Sequence, residues 1–400
     1  MKLAFISYWS CPLERLGVLN AGGMNVYVYN LAISLGKLGH RIDIFTKTHN
    51  TKEQKILQLN QNICLIHLPV TYKDPYLDVN PYANNLTQYI RSNNLHYDVL
   101  HSHYFYSALI AKVLSQKLMI PSIVTFHTTS AVKFIYGGIK DKKREKRELV
   151  IVRESNAIIA STELEKHDLM KYYYGDSKKI FVISPGVNHK VFKYHAKLSS
   201  RKKLQLPQSK KIILFVGRID PIKGIDLLIK AVSDLTKKFP DFENKFRVYI
   251  IGGDIKNRNF WHNHEVVKIK KLISSRRLDC CVKFLGSKAH HLLPYYYSAA
   301  DIVVMPSFHE SFGLVVLEAM ACRSAVIASK VGGLKYLIKD GFNGRLFENG
   351  NIVQFARIIW TLINDVKSRS LLGENAFKTS QKYCWNIQTQ KILDIYKKMM

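Results

Sequence analysis

Short apolar runs alternate with longer amphipathic stretches along most of this chain. Lys2–Ser10, Arg41–Thr46, Ile63–Leu68, Val99–His103 and Ser122–His127 are β-rich runs, and the stretches between them are long enough for crossover helices. Gly22–Leu38 is one such stretch, with Val26, Tyr29, Leu31, Ile33, Leu35 and Leu38 at mixed helical spacing. Repeated β-α-β alternation predicts a mainly parallel sheet covered on both faces. The pattern restarts at Lys211: strands 212–216, Arg247–Ile251, Val282–Leu285, Asp301–Met305 and Ala325–Ala328 alternate with helices Gly224–Leu235, Glu265–Ser275 and Phe312–Cys322. Two α/β domains in series are the simplest account. They are expected at 1–192 and 211–378, joined by the polar, lysine-rich stretch 193–210. Ligands of parallel sheets bind beyond the carboxyl ends of the strands, so two Rossmann-like domains are expected to face a central cleft.

Composition narrows the class. The chain has 400 residues, and its hydrophobic content of 47% is enough to bury cores and too evenly spread for a bilayer span. The apolar start, Lys2 to Trp9, has no small-residue cleavage site and reads as a buried strand. The six cysteines show neither CxxC nor zinc spacing, which fits buried thiols in a reducing cytoplasm. Charge is less easily read. Lys plus Arg number 60 against 30 Asp plus Glu, a net +30. Both halves share the excess, at +12 and +18, and lysine outnumbers arginine 44 to 16. Bidentate phosphate or base-edge recognition favours arginine, so a dispersed lysine excess argues weakly for nucleic acid. A solvated background and an anionic membrane surface remain as readings.

Three clusters carry chemistry. Gly22-Gly23 follows the first strand and opens a helix, where backbone can approach an anion closely; a plain tight turn is the alternative. Arg218 and Lys223 fall between a strand end and a helix N-terminus, where cations have no dipole reason to be and an anion would supply one. Glu310 precedes the apolar helix 312–322 and either caps it or meets a ligand, whereas Glu318 lies inside it and must find partners for a buried carboxylate. His101, His103 and His127 end neighbouring strands on one sheet edge. His262-Asn263-His264-Glu265 lacks partner ligands at metal spacing, so no metal is expected. No G-x-G-x-x-G or Walker A loop occurs.

These motifs, in order and nearly end to end, resemble the retaining glycosyltransferases of family 4. The branch most similar holds the sucrose-phosphate synthases and D-inositol-3-phosphate glycosyltransferases. The resemblance runs through GGMNVY (22–27), HSHY (101–104), TFHT (125–128), Phe215–Gly224, Tyr297–Pro306, Glu310–Glu318 and Val331-Gly332-Gly333-Leu334. It implies a GT-B fold, with a helix at 379–400 crossing back to the N-terminal domain. It also implies a nucleotide-sugar donor, UDP-linked, with no cofactor. On the donor side it places Gly23 against the β-phosphate, with Gly22 also in the donor site, and Arg218 and Lys223 on the diphosphate leaving group. Glu310, Phe312, Gly313 and Leu314 fall against sugar and phosphate, and Glu318 on the ribose hydroxyls. His127 stands beside the reacting carbon, so that His127, Glu310, Arg218 and Lys223 form the catalytic set. A small phosphorylated acceptor is implied at Asn25, Tyr104, Thr128, Arg144 and Lys73. For Arg144 the alternative is a solvated position in the charge run Lys140–Arg147. One departure is Arg323, which follows Cys322 where the family has glycine. A second functional reading is a membrane-peripheral transferase with a lipid or glycan acceptor, prompted by Phe134-Ile135-Tyr136 beside that basic run. The expected compartment is cytoplasmic, with the inner membrane face as its variant.

Overall fold

The computed structural model describes residues 1–14, 21–48, 54–138 and 140–400, and these form two compact units. The first comprises 1–14, 23–186 and 385–400; the second comprises 21–22 and 187–384. The stretch 193–210 belongs to the second unit and includes a helix, Lys197–Lys203. The first unit also takes in the helix Trp385–Met399.

In the first unit the described strands are β1 (Lys2–Ile6), β2 (Arg41–Lys47), β3 (Ile56–Asn60), β4 (Ile63–Leu68), β5 (Val99–His103), β6 (Ser122–Thr125), β7 (Ala157–Ala160) and β8 (Ile180–Val182). Their order is β3-β4-β2-β1-β5-β6-β7-β8, parallel throughout except for the β3/β4 hairpin. β1 is central: Leu3, Ala4, Phe5 and Ile6 are fully buried, as a strand covered on both faces requires. Residues 7–10 continue the apolar run but have left the sheet, and the strand expected to reach His127 stops at Thr125. β3 was not expected; it is an edge strand with one solvated face, so its apolar residues alternate with exposed positions.

The second unit carries β9 (Lys211–Val216), β10 (Phe246–Ile251), β11 (Val282–Phe284), β12 (Ile302–Met305), β13 (Val326–Ser329) and β14 (Arg345–Phe347), ordered β11-β10-β9-β12-β13-β14 and wholly parallel. Each sheet has one switch point, where the chain reverses its direction of winding: β1/β5 in the first and β9/β12 in the second. Crevices at such points are where parallel α/β sheets bind ligands. The segments after β1 and β5 hold Gly22, Gly23 and Tyr104; those after β9 and β12 hold Arg218, Lys223 and Glu310.

Candidate active site

In the second unit the site is built on two loops locked together by backbone. After β9 the chain passes Arg218 and enters a single 3-10 turn, Pro221–Lys223, capped by Asp220, whose carboxylate accepts from the Ile222 amide at 3.1 Å. Gly224 then turns left-handed (φ 64°), and a Cβ there would stand 2.0 Å from the Pro306 carbonyl oxygen of the loop after β12. The Phe308 amide donates to the Ile222 carbonyl at 2.8 Å, completing the joint.

This joint presents Lys223 to Glu310, and the two form a half-buried ion pair, with the Ser307 hydroxyl donating to the same carboxylate oxygen at 3.2 Å. Glu310 therefore does not cap the following helix. That helix runs Leu314–Ala321, and Gly313 (φ 103°) stands at its cap position with no side-chain cap. Arg218 pairs with Asp220 at 3.5 Å and stays largely exposed. Behind the loop, the Gly333 amide donates to the Glu310 carbonyl at 2.8 Å. A Cβ on Gly332 would meet that carbonyl oxygen at 2.0 Å. Val331-Gly332-Gly333 is thus a brace that only glycine lets approach.

Glu318 is 5% exposed and has found its partners. The Tyr297 hydroxyl donates to one carboxylate oxygen at 2.9 Å, and His290 Nε2 lies 3.2 Å from the other. Burial alone would lower the pKa of His290, but the hydrogen bond and charge of Glu318 outweigh it and raise it. Nothing in the sequence singles out His290; it sits on a 3-10 turn, His290–Leu292, with its ring against the helix carboxylate. Burial, aided by the nearby charge of Lys223 and opposed by that of Glu310, lowers His309 to about 4. Arg323 adopts φ 58°, so it fills the left-handed position that glycine favours. Its guanidinium reaches Glu374 at 3.1 Å and lies over Phe377.

In the first unit the helix Gly23–Lys37 begins directly after Gly22, as the paired glycines suggest. Asn25 is fully buried, and its amide donates to the Ser10 hydroxyl (2.7 Å) and the Cys11 carbonyl (2.6 Å), which fixes the loop after β1. Tyr104, Thr128 and Arg144 come together. Arg144 is 3% exposed, so it is no solvated member of its charge run. Its Nε donates to Glu148 at 2.6 Å, Nη1 to the Tyr104 hydroxyl at 3.1 Å and Nη2 to the Thr128 carbonyl at 2.6 Å. A guanidinium has five N–H groups, so one remains on each Nη. Glu148 is held in turn by the Ser130 amide and the Tyr173 hydroxyl; burial raises its pKa against the pull of Arg144. Tyr104 turns at φ 73°, a costly conformation for a non-glycine at the end of β5. Lys73 is exposed on the loop before the helix Pro75–Ser92.

His127 is also left-handed (φ 61°) and partly buried beneath Tyr27, with ring centroids 5.1 Å apart. Burial lowers its pKa to about 3. His101 and His103 are both fully buried, so neither presents a face to solvent. Among the described residues no group of three or more His, Cys, Asp or Glu is arranged to hold a metal ion. No helix among them is long and apolar enough to cross a membrane.

Comparison with known proteins agrees with this fold. Residues 21–191 match the family described as Glycosyltransferase Family 4, and residues 197–379 match Glycosyl transferases group 1. A D-inositol 3-phosphate glycosyltransferase of Corynebacterium kroppenstedtii is 32% identical over 99% of this chain and 89% of its own length. A protein of the same name from Corynebacterium glutamicum is 31% identical over 99% and 96%. Among solved structures, the sucrose-phosphate synthase of Thermosynechococcus elongatus superposes with a TM-score of 0.90 at 27% identity, covering 100% of this chain and 98% of that one.

Proposed function

Because this chain belongs to the glycosyltransferases of group 1 and family 4, we propose that it moves a sugar, with retention of configuration, from a UDP-linked donor to a small phosphorylated polyol or sugar. The observation that carries the acceptor class is Arg144, a buried guanidinium joined to Tyr104 and to Thr128 with N–H groups still to give. A dianionic phosphate matches that fork. The names of the relatives, one for an inositol phosphate and one for a sucrose phosphate, support the same class. Exposed Lys73 supplies a second cation, and Asn25 holds the loop that shapes the pocket.

On the donor side, the leaving diphosphate takes Lys223 from Glu310 and draws in Arg218, so that fixed cations meet the negative charge as it develops. Backbone at Gly22 and Gly23 approaches the β-phosphate. The released Glu310 turns to sugar hydroxyls, alongside Phe312 and the amides of Gly313 and Leu314. Glu318, held in place by His290 and Tyr297, accepts from the ribose. His127 stands at the reacting carbon. No side chain need act as a nucleophile when the acceptor attacks the face the diphosphate leaves.

A thermal-shift panel of UDP-, GDP- and ADP-sugars, each with and without inositol phosphate, fructose 6-phosphate and glucose 6-phosphate, tests this reading. We expect one UDP-sugar to raise the unfolding temperature and one phosphorylated acceptor to raise it further. No shift with any UDP-sugar rejects the donor class; no further shift with any of these phosphorylated acceptors rejects the acceptor class.

One observation favours a second reading, a membrane-peripheral enzyme with a lipid acceptor. Phe134 and Ile135 are each 47% exposed, and the Lys140 ammonium lies 5.4 Å from the Phe134 ring centroid. The side chain of Tyr136, the third apolar member, lies outside the described residues. Co-sedimentation with anionic vesicles at low and moderate salt decides it, and absence of binding dismisses it.

A further inference from the structure

Below His127 the first unit packs a column of imidazoles. His101 and His103 pack with their rings tilted and centroids 4.3 Å apart, and His103 Nδ1 lies 3.3 Å from His127 Nε2. His101 is satisfied at both nitrogens, by the Tyr396 hydroxyl at 2.6 Å and the Thr125 hydroxyl at 2.9 Å. His103 is not: its Nε2 is buried and has no hydrogen-bond partner among the described residues.

Burial holds both His103 and His127 neutral near pH 7, so each carries one N–H. Of two neutral imidazoles in contact, one must donate and the other accept. If the His103 proton sat on Nε2, a buried N–H would be left orphaned; on Nδ1 it is used, and only a lone pair stays unpaired. An orphaned donor is the rarer and costlier state. His103 therefore donates from Nδ1 to His127 Nε2, and the single proton of His127 is driven to Nδ1.

We propose that His103 is a positioning residue that fixes His127 in its Nδ1–H tautomer, so that His127 meets substrate as a hydrogen-bond donor and not as a base. Nε2 is occupied as an acceptor and Nδ1 bears a proton, so neither nitrogen has a lone pair with which to take the acceptor's hydroxyl proton. That proton must leave by another route, and the oxygens of the departing donor phosphate are the bases the reaction itself supplies. The tautomer follows from burial and hydrogen-bond geometry; its part in transfer rests on the function proposed above.

The test is long-range 1H–15N correlation of histidine-labelled full-length protein, with His127 assigned by its loss in His127→Gln. Wild-type His127 is expected with Nδ1 protonated and Nε2 bare at pH 7 to 8. His103→Leu should release His127 to the Nε2–H form or a mixture and lower kcat about tenfold or more, with donor KM within about twofold. His103→Asn places an amide N–H near the position of Nδ1 and should restore both tautomer and turnover. A wild-type His127 protonated at Nε2, or a His127 tautomer unmoved in His103→Leu, overturns the proposal. If His103→Leu fails to fold, the wild-type spectrum and His103→Asn still decide. The spectra need no substrate, so failure to find a donor would reject the proposed function and leave the tautomer result standing.

Discussion

Glu318 shows what a single residue can and cannot tell. Its place between Leu317 and Ala319 on an apolar helix demanded partners, and the structure supplies Tyr297 and His290. Sequence spacing had no means of naming either, because both come from the segment before β12. Glu318→Ala should raise donor KM about 10- to 100-fold and cost roughly 1–3 kcal/mol of stability, since the Tyr297 hydroxyl is left unpaired; steady-state kinetics and urea unfolding read the two effects. Lys223→Ala should lower kcat about 10²- to 10³-fold with little change in unfolding midpoint. Wild-type kinetics in either variant would remove that residue from the site. Arg144 needs a gentler probe, because truncating it strands buried Glu148 at a cost of roughly 3–5 kcal/mol. Tyr104→Phe removes one hydroxyl and should raise acceptor KM about tenfold. The imidazole column adds a pH dependence. His101 and His127 have pKa values near 3 in the fold against 6.5 for an unperturbed histidine, so the unfolded chain binds more protons between those values. Stability is therefore full above pH 6.5 and falls as pH drops toward 3, by about 1 kcal/mol per unit for each histidine. Urea midpoints measured from pH 7.5 to 5 check this, and a flat profile would contradict it.

Among the elements, the parallel strands were legible because they are buried on both faces and read as continuous apolar runs. The β3 edge was not legible, since its apolar residues alternate with exposed ones in a five-residue strand. The loops were legible only as motifs. That glycines follow β13 is plain in the sequence, but the reason is tertiary: Gly332 presses against the Glu310 backbone and Gly333 against that of Ser311 and Phe312. Gly332→Ala should displace that loop, costing roughly 1–3 kcal/mol and most donor turnover. Gly341→Ala is the control. Gly341 is also left-handed (φ 75°), but a Cβ there meets nothing within 4 Å, so it should cost about 1 kcal/mol and leave turnover intact. Equal loss of turnover in both variants would mean that the close approach is unimportant. The Arg323 turn makes a related point, because a residue that departs from the family pattern adopts the left-handed conformation and anchors its side chain on the helix Val366–Gln381.

At the scale of the whole molecule, two α/β units were readable from the restart of the strand pattern near Lys211, and the net +30 was not readable at all. Few of those cations meet a named anion at the site, and the lysine excess has no structural explanation. The first unit is discontinuous in sequence. It is completed by the helix Trp385–Met399, whose Ile392 and Tyr396 are fully buried and whose Tyr396 hydroxyl bonds His101. That connection has a consequence for how the protein is made. On a ribosome the continuous segment 187–384 emerges before residues 385–400, so the second unit has its whole sequence available first. The first unit must wait with part of its core open until a helix encoded about 200 residues later arrives.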